Sequence, residues 1–372
     1  MDVRPDPAPD DLRLADFRPR SQLRVRHAAA PARPTLPAID AHNHLGPTPF
    51  SDGWDDRSPE DLAAALDASN IEAIVDLDGG WGEALRRELE HWAPLCGRVA
   101  VFAGLDYAMW ATRPDFGEIE AVRLRAAADA GARGLKVWKV LGLRARDPAG
   151  RLVPVDDQRL DPVWDAAGAL HLPVTIHVAD PIAFFEPLNA TNERCEELRA
   201  HPDWHFWPAH SRGRPDDGFP RFDELIDGLE AVVARHPATT FIGAHVGCAA
   251  EDLGRVSGML EAYPNFHVDI AARIAELGRQ PYTAREFLLR WSDRVLFGTD
   301  VPPDPAAWAV YARFLETHDE SFEYEPGGGP GSQGRWLIHG LGLTGDALHA
   351  IYADNARRLI FDRRRGRISP GG

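Results

Sequence analysis

From Pro37 onward the chain alternates, eight times over, between a short apolar run and a longer stretch with helical spacing. The runs are Ala38–His42, Ala73–Leu77, Val99–Leu105, Gly134–Val140, Pro173–Val178, Thr239–His245, Phe266–Ile270 and Arg294–Thr299. They read as continuous apolar segments, as in Phe241-Ile242-Gly243-Ala244, and this suits parallel strands buried on both faces. Between them the spacing predicts helices. Ser58 can cap the first, Pro59 suits its opening position, and Asp61 holds the capping-box position. Asp161 is expected to cap the fourth, Asp161–Leu170, with Pro162 in its first position. Further helices are expected at Trp81–Trp92, Phe116–Ala130, Phe222–Arg235, Glu251–Ala262 and Tyr282–Trp291, with a last one near Asp346–Leu359.

Eight such units over about 320 residues point to a (β/α)8 TIM barrel. An open doubly wound sheet is the rival, but it wants a Gly-rich phosphate loop after the first strand. That place holds His42-Asn43-His44-Leu45-Gly46-Pro47. Two connections are long, Ala179–Arg221 after strand five and Val301–Gly334 after strand eight. Both follow strand ends and so lie over the catalytic face, as lids and substrate walls. Phe184, Phe185, Trp204, Phe206 and Trp207 should pack the first of them against the mouth. Residues 1–36, rich in Pro, Arg and Ala, are read as an arm on the outside of the domain or on a neighbour. Residues 37–372 are read as one domain.

Chemistry-bearing residues gather at the strand ends. His42 and His44 are two apart, so on a strand they project together while Ala41 and Asn43 face away. Two imidazoles on one face can share a divalent metal. Lys136 or Lys139 comes from strand four, His177 from strand five, His245 from strand six and Asp300 from strand eight. Barrel closure sets strand eight beside strand one, and strand five across the pore. Lys136 and Lys139 are three apart, so only one can face inward. Asp40 is either a partner of the ligands or a strand-start carboxylate. Arg273 is placed for a substrate carboxylate or a surface salt bridge. Trp54 and Trp138 are wall or core residues, and His210 lies where it can drop in from the first long loop. His91, His171, His201, His236, His318 and His349 are expected at the surface.

Asp40-Ala41-His42-Asn43-His44, His177 after an apolar strand, Ala244-His245-Val246-Gly247 and Phe297-Gly298-Thr299-Asp300 together resemble the amidohydrolase superfamily of metal-dependent barrel enzymes. The likeness is to its amidohydrolase-related branch, which holds hydrolases, lactonases and aminocarboxymuconate-semialdehyde-type decarboxylases. It spans residues 38 to 300. It implies that His42, His44, His177 and Asp300 bind one divalent metal, zinc before manganese or iron, and that His245 acts on the substrate or its activated water. Asp300 would also shuttle the water proton. Gly134-Leu135-Lys136 resembles the strand-four pattern of the branch, which favours Lys136 over Lys139 as the third catalytic residue. A carbamylated lysine bridging two metals is the variant found elsewhere in the superfamily. The expected activity is hydrolysis of a small amide, lactone or related carbonyl compound. The alternatives are non-oxidative decarboxylation at the same site, or a barrel kept only as a scaffold.

Composition closes other routes. A net charge of −16 argues against a polyanionic partner such as DNA. The arginines cluster near the two termini, at Arg18, Arg20, Arg24 and Arg26 and at Arg363, Arg364, Arg365 and Arg367, where solvated surface or subunit contact is expected. No apolar run reaches the roughly 18–20 residues of a membrane span, and the first residues lack the apolar core of a secretory signal. A cytoplasmic protein acting on a small molecule, and forming a homodimer, is the expectation. Cys96, Cys195 and Cys248 form no metal-binding or disulfide pattern. Cys248, three residues after His245, is expected to be a packed apolar residue.

Overall fold

The structure, a computed structural model, describes residues 11–13, 22–25, 27, 29–47, 53–54, 56–95, 97–207, 218–325 and 333–362. Eight parallel strands follow one another in sequence order: β1 (Ala38–Asn43), β2 (Ile71–Asp76), β3 (Val99–Ala103), β4 (Gly134–Val137), β5 (Val174–Ile176), β6 (Phe241–Gly243), β7 (Phe266–Asp269) and β8 (Val295–Leu296). The Ala41 amide donates to Phe297 O at 2.9 Å and the Asp300 amide to His42 O at 2.8 Å, which brings the two ends of the sheet together. The result is the expected (β/α)8 TIM barrel.

Helices α1 (Pro59–Ala68), α2 (Gly82–His91), α3 (Phe116–Ala130), α4 (Asp161–Ala169), α5 (Phe222–Arg235), α6 (Leu253–Ala262) and α7 (Pro281–Arg290) fill the connections. The bounds of α3 and α5 are those the spacing predicts. Ser58 and Asp61 form the full capping box of α1. The fourth helix starts differently. Leu160 is its N-cap and Asp161 its first residue, because the Asp161 carboxylate is drawn away to Arg235 and His236. His236 is thereby buried, not at the surface.

The second long connection is not irregular throughout. Val301–Gly334 contains a further helix, α8 (Pro305–Glu316), capped by Asp304 and turning Trp308, Tyr311, Ala312, Phe314 and Leu315 inward. Its prolines disguise it, although Pro305 occupies the position that tolerates proline best. Among its described residues the first connection holds three short helical turns. Phe184, Phe185 and Phe206 are buried there, with Phe185 stacked on Phe206 at 5.2 Å. Of the arm, His27 and Thr35 are tied to the domain: the His27 ring meets Glu320 O at 2.7 Å, and Thr35 bonds to Glu316.

The barrel floor is apolar. Ile39 and Ala41 of β1 cluster with Ala73, Val75, Phe102, Ile242 and Leu296. Ala353, Ala356, Leu359 and Ile360 of the C-terminal helix join the same cluster. That helix begins as Gly345–His349 and continues through π-helical stretches Ala350–Asp354 and Arg357–Phe361.

Candidate metal site at the strand ends

Simple alternation from Ile39 and Ala41, which face the interior, would send His42 outward. The β1–β2 register prevents this. Asp40 pairs with Ile74 and Asn43 with Asp76, so three steps on β1 match two on β2. The extra residue is a β-bulge, a device that re-aims side chains beside functional sites. Ala41 therefore does not face away as strict alternation predicts. Ala41 and His42 both point inward, and His44 follows.

Each of the two histidines is oriented by a carboxylate. His42 Nδ1 donates to Asp269 Oδ2 at 2.8 Å, and His44 Nδ1 to Asp78 Oδ1 at 2.8 Å. Such pairs fix the ring and aim the other nitrogen at a metal. Both Nε2 atoms converge on one oxygen, Asp300 Oδ1, at 3.2 Å from His42 and 2.9 Å from His44. Donors about 2.0–2.2 Å from a common ion stand about 3–3.5 Å from each other. His42, His44 and Asp300 are a group able to hold a metal. Burial pushes His44 down, but Asp300 and Asp78 outweigh it and raise the ring to about 9. Burial would raise Asp300, yet its interactions with His42 and His245, and the hydrogen bonds from His42 and His44, hold it well below the usual carboxylate range.

His177, expected as a fourth ligand, is not one of that group; it stands beside His245, the two rings 4.4 Å apart. Its buried Nε2 has no hydrogen-bond partner and lies 3.5 Å from Asp180 Oδ1. An orphaned imidazole nitrogen at the rim of a His/Asp cluster fits a metal ligand better than a core histidine. Burial lowers the ring to about 4, leaving it neutral.

His245 reaches the site by unusual backbone. The β5–β6 register faces Ile242 with Thr175, and that of β4–β5 faces Thr175 with the inward Lys136. An extended continuation would turn Ala244 in and His245 out. Instead His245, Val246, Gly247 and Cys248 all have φ between 59° and 65°, one left-handed turn closed by Cys248 N to Ala244 O at 2.8 Å. Such backbone costs about 1–2 kcal/mol per non-glycine residue and is kept where function uses it. The turn lays the His245 ring 4.9 Å from that of His42. Its Nδ1 donates to Ala271 O at 2.8 Å, so Nε2 keeps the lone pair and faces Asp300 Oδ2 at 3.8 Å. Burial, then His177 and Arg273, hold this imidazole far below its ordinary value, hence neutral.

Lys136 is fully buried, with Nζ 3.1 Å from His42 Nε2 and 4.9 Å from the Trp138 ring. Burial lowers its ammonium against the pull of Asp300 and Asp269. Lys139 instead points to the rim and pairs with Asp180 Oδ2 at 2.5 Å. Trp138 stacks on His44 at 5.2 Å. Trp54 packs in the main core under Arg57, its amide bonded to Leu45 O. Arg273 is buried, not in a surface salt bridge, and donates to Ala272 O at 2.8 Å. Asp40 touches no ring of the site. Its carboxylate holds Thr299 and Trp308. Cys248 is buried, with Sγ 3.4 Å from the Val178 amide. His210 lies outside the described residues.

Asp78, Asp269 and Asp180 escape a linear reading, since each is a single aspartate near a strand end. The usable signal was position: Asp269 lies inside the seventh apolar run, where a carboxylate is out of place unless it has buried donors to meet.

Gly298 sets the wall behind His42. A Cβ there would stand 2.7 Å from His42 Cβ and 3.1 Å from His42 N. Gly298→Ala is expected to lower stability by about 1–3 kcal/mol and to weaken metal binding by moving His42. Thermal melts and chelator competition check it; unchanged values in both would show that the wall gives freely.

Among the described residues no helix is long and apolar enough to cross a membrane. No curated protein matches the chain significantly. A solved protein described as amidohydrolase II shares 15% identity with it, with a TM-score of 0.52 over 87% of this chain and 99% of that one. A Staphylococcus aureus protein assigned to the amidohydrolases shares 16%, with a TM-score of 0.52 over 87% and 99%. A 2,6-dihydroxybenzoate decarboxylase from Rhizobium shares 18%, with a TM-score of 0.49 over 87% and 98%. At these identities the likeness is one of fold. The family model described as Amidohydrolase matches residues 39–361, a span that contains all eight strands but for Ala38 and each member of the His42/His44/Asp300 cluster, and the chain belongs to that family.

Proposed function

We propose that the chain is a metal-dependent hydrolase that adds water to the carbonyl of a small amide, lactone or related compound. The observation that carries this reading is the convergence of two carboxylate-oriented imidazoles on Asp300 Oδ1, with the lone pair of His245 facing Asp300 Oδ2. His42, His44, His177 and Asp300 would hold one divalent ion, zinc before manganese or iron. When bound, that ion supplies a polarised carbonyl and a water acidic enough to attack near neutral pH.

The protein's own groups do the rest. His245 Nε2 is neutral and unprotonated, so it would accept a hydrogen bond from the attacking water and orient it. Asp300 Oδ2 would take the water proton and pass it to the leaving group. The Lys136 ammonium offers charge to an oxyanion in a site that burial makes electrostatically strong. Trp138 would form one wall, and Arg273 would bring positive charge beside His245, suited to a substrate that carries an anionic group, while Lys139 stays paired with Asp180. A homodimer is part of the same reading.

The test is metal analysis of protein purified without chelator, followed by assays on lactones, amides and carboxylic acids. About one metal per chain is expected, with water addition lost on chelation and restored by zinc. Release of carbon dioxide from the acids, with no hydrolysis, overturns the reading in favour of a decarboxylase. No metal after reconstitution overturns both.

A further inference from the structure

Asp300 has left-handed backbone, φ +64°, so its carboxylate is aimed correctly only while its neighbours enforce that turn. Each residue of Thr299-Asp300-Val301 is gripped. Thr299 donates from its amide (3.1 Å) and Oγ1 (2.6 Å) to the Asp40 carboxylate. The Asp300 amide donates to His42 O, and Asn43 Nδ2 donates to Val301 O at 2.7 Å. Two of the grips lead to α8. Trp308 Nε1 donates to Asp40 Oδ2 at 2.9 Å. The Tyr311 hydroxyl donates to Thr299 O at 3.3 Å and accepts from the Ala272 amide at 2.8 Å.

Trp308 and Tyr311 are three apart on α8 and share a face. Both are buried, and neither touches His42 or His44 through a hydrogen bond. Ala272, with φ +52°, precedes Arg273. Tyr311 thus ties the turn that carries Asp300 to the one that carries Arg273.

We propose that Trp308 and Tyr311, the polar tips on one face of α8, are positioning residues that set where the Asp300 carboxylate meets His42 and His44. The proposal rests on the reading of Asp300 as a metal ligand. Its test compares Trp308→Phe and Tyr311→Phe with Tyr352→Phe. Tyr352 is an internal control. It is also buried and packs on the same Phe297, at 5.3 Å against 5.7 Å for Tyr311, but its hydroxyl serves Glu316.

Three quantities are read: the melting temperature of the metal-free protein, the Zn2+ dissociation constant by competition with a chromophoric chelator, and the visible spectrum with Co2+. Trp308→Phe and Tyr311→Phe are expected to weaken Zn2+ binding about 10–100-fold, the range for partners of metal ligands, and to shift the Co2+ bands. Tyr352→Phe should lower the melting temperature similarly and leave both metal readouts unchanged. If Trp308→Phe does not fold, Tyr311→Phe alone carries the same expectation. Metal readouts that stay fixed in these variants, or move equally in Tyr352→Phe, overturn the proposal while the hydrolase reading stands. An unaltered protein that binds no metal overturns both.

Discussion

Asp300→Asn is expected to fold, to lose its metal and to lose turnover by about 10³-fold or more, within the range for removing a positioned acid–base group. The fold survives because asparagine, like aspartate, tolerates left-handed backbone. Its amide also fills the same space between His42 and His44. What goes is the negative oxygen on which both Nε2 atoms converge. A neutral amide oxygen is a weaker ligand, and it cannot carry a proton from Oδ2. Asp300→Ala is the poorer experiment, since alanine resists φ +64° and would mix folding loss with chemical loss. Metal analysis, circular dichroism and turnover on one sample decide the matter. An Asp300→Asn protein that keeps its metal and its activity would end the proposed mechanism.

Asp269→Asn should have the next largest effect, although Asp269 meets no substrate. Its buried carboxylate receives three donors: His42 Nδ1 at 2.8 Å, the His245 amide at 2.9 Å and the Ala271 amide at 3.1 Å. Asparagine offers one oxygen. If that oxygen stays with the two amides, the NH2 group faces His42 Nδ1 and favours the tautomer with its proton on Nε2. That is the atom that must be bare to bind a metal. If the amide turns over, two backbone donors are left unsatisfied, at about 1–3 kcal/mol for a buried group. Either way metal affinity should fall about 10–100-fold, with a lowered melting temperature. Unchanged chelator competition would show that His42 does not depend on Asp269.

The contrast between these two residues shows what a linear sequence reveals. Asp300 is legible because it ends an apolar strand beside a matching motif. Asp269 ends a strand as well, but its importance lies in which strands stand next to β7, a fact of the closed barrel. Asp78 and Asp180 are hidden for the same reason. The strands and most helices were readable because burial leaves a local periodic trace, as in α3 and α5. The exceptions were local breaks in period. The bulge in β1 and the left-handed turn after β6 both change which way a side chain points, and neither alters composition. Helix α8 was lost among prolines, although Asp304-Pro305 opens it much as Ser58-Pro59 opens α1.

The floor of the barrel has a consequence for biosynthesis. Ala353, Ala356, Leu359 and Ile360 complete the apolar cluster begun by Ile39 and Ala41, and the Phe297 amide donates to Ile351 O at 2.9 Å. The strand that carries His42 and the strand that leads to Asp300 therefore meet the final helix of the described chain. A nascent chain still holding that helix in the ribosomal exit tunnel exposes the underside of β1 and β8 to water. His42 and Asp300, made early and late in the chain, are therefore expected to reach their final spacing only after the C-terminal helix emerges.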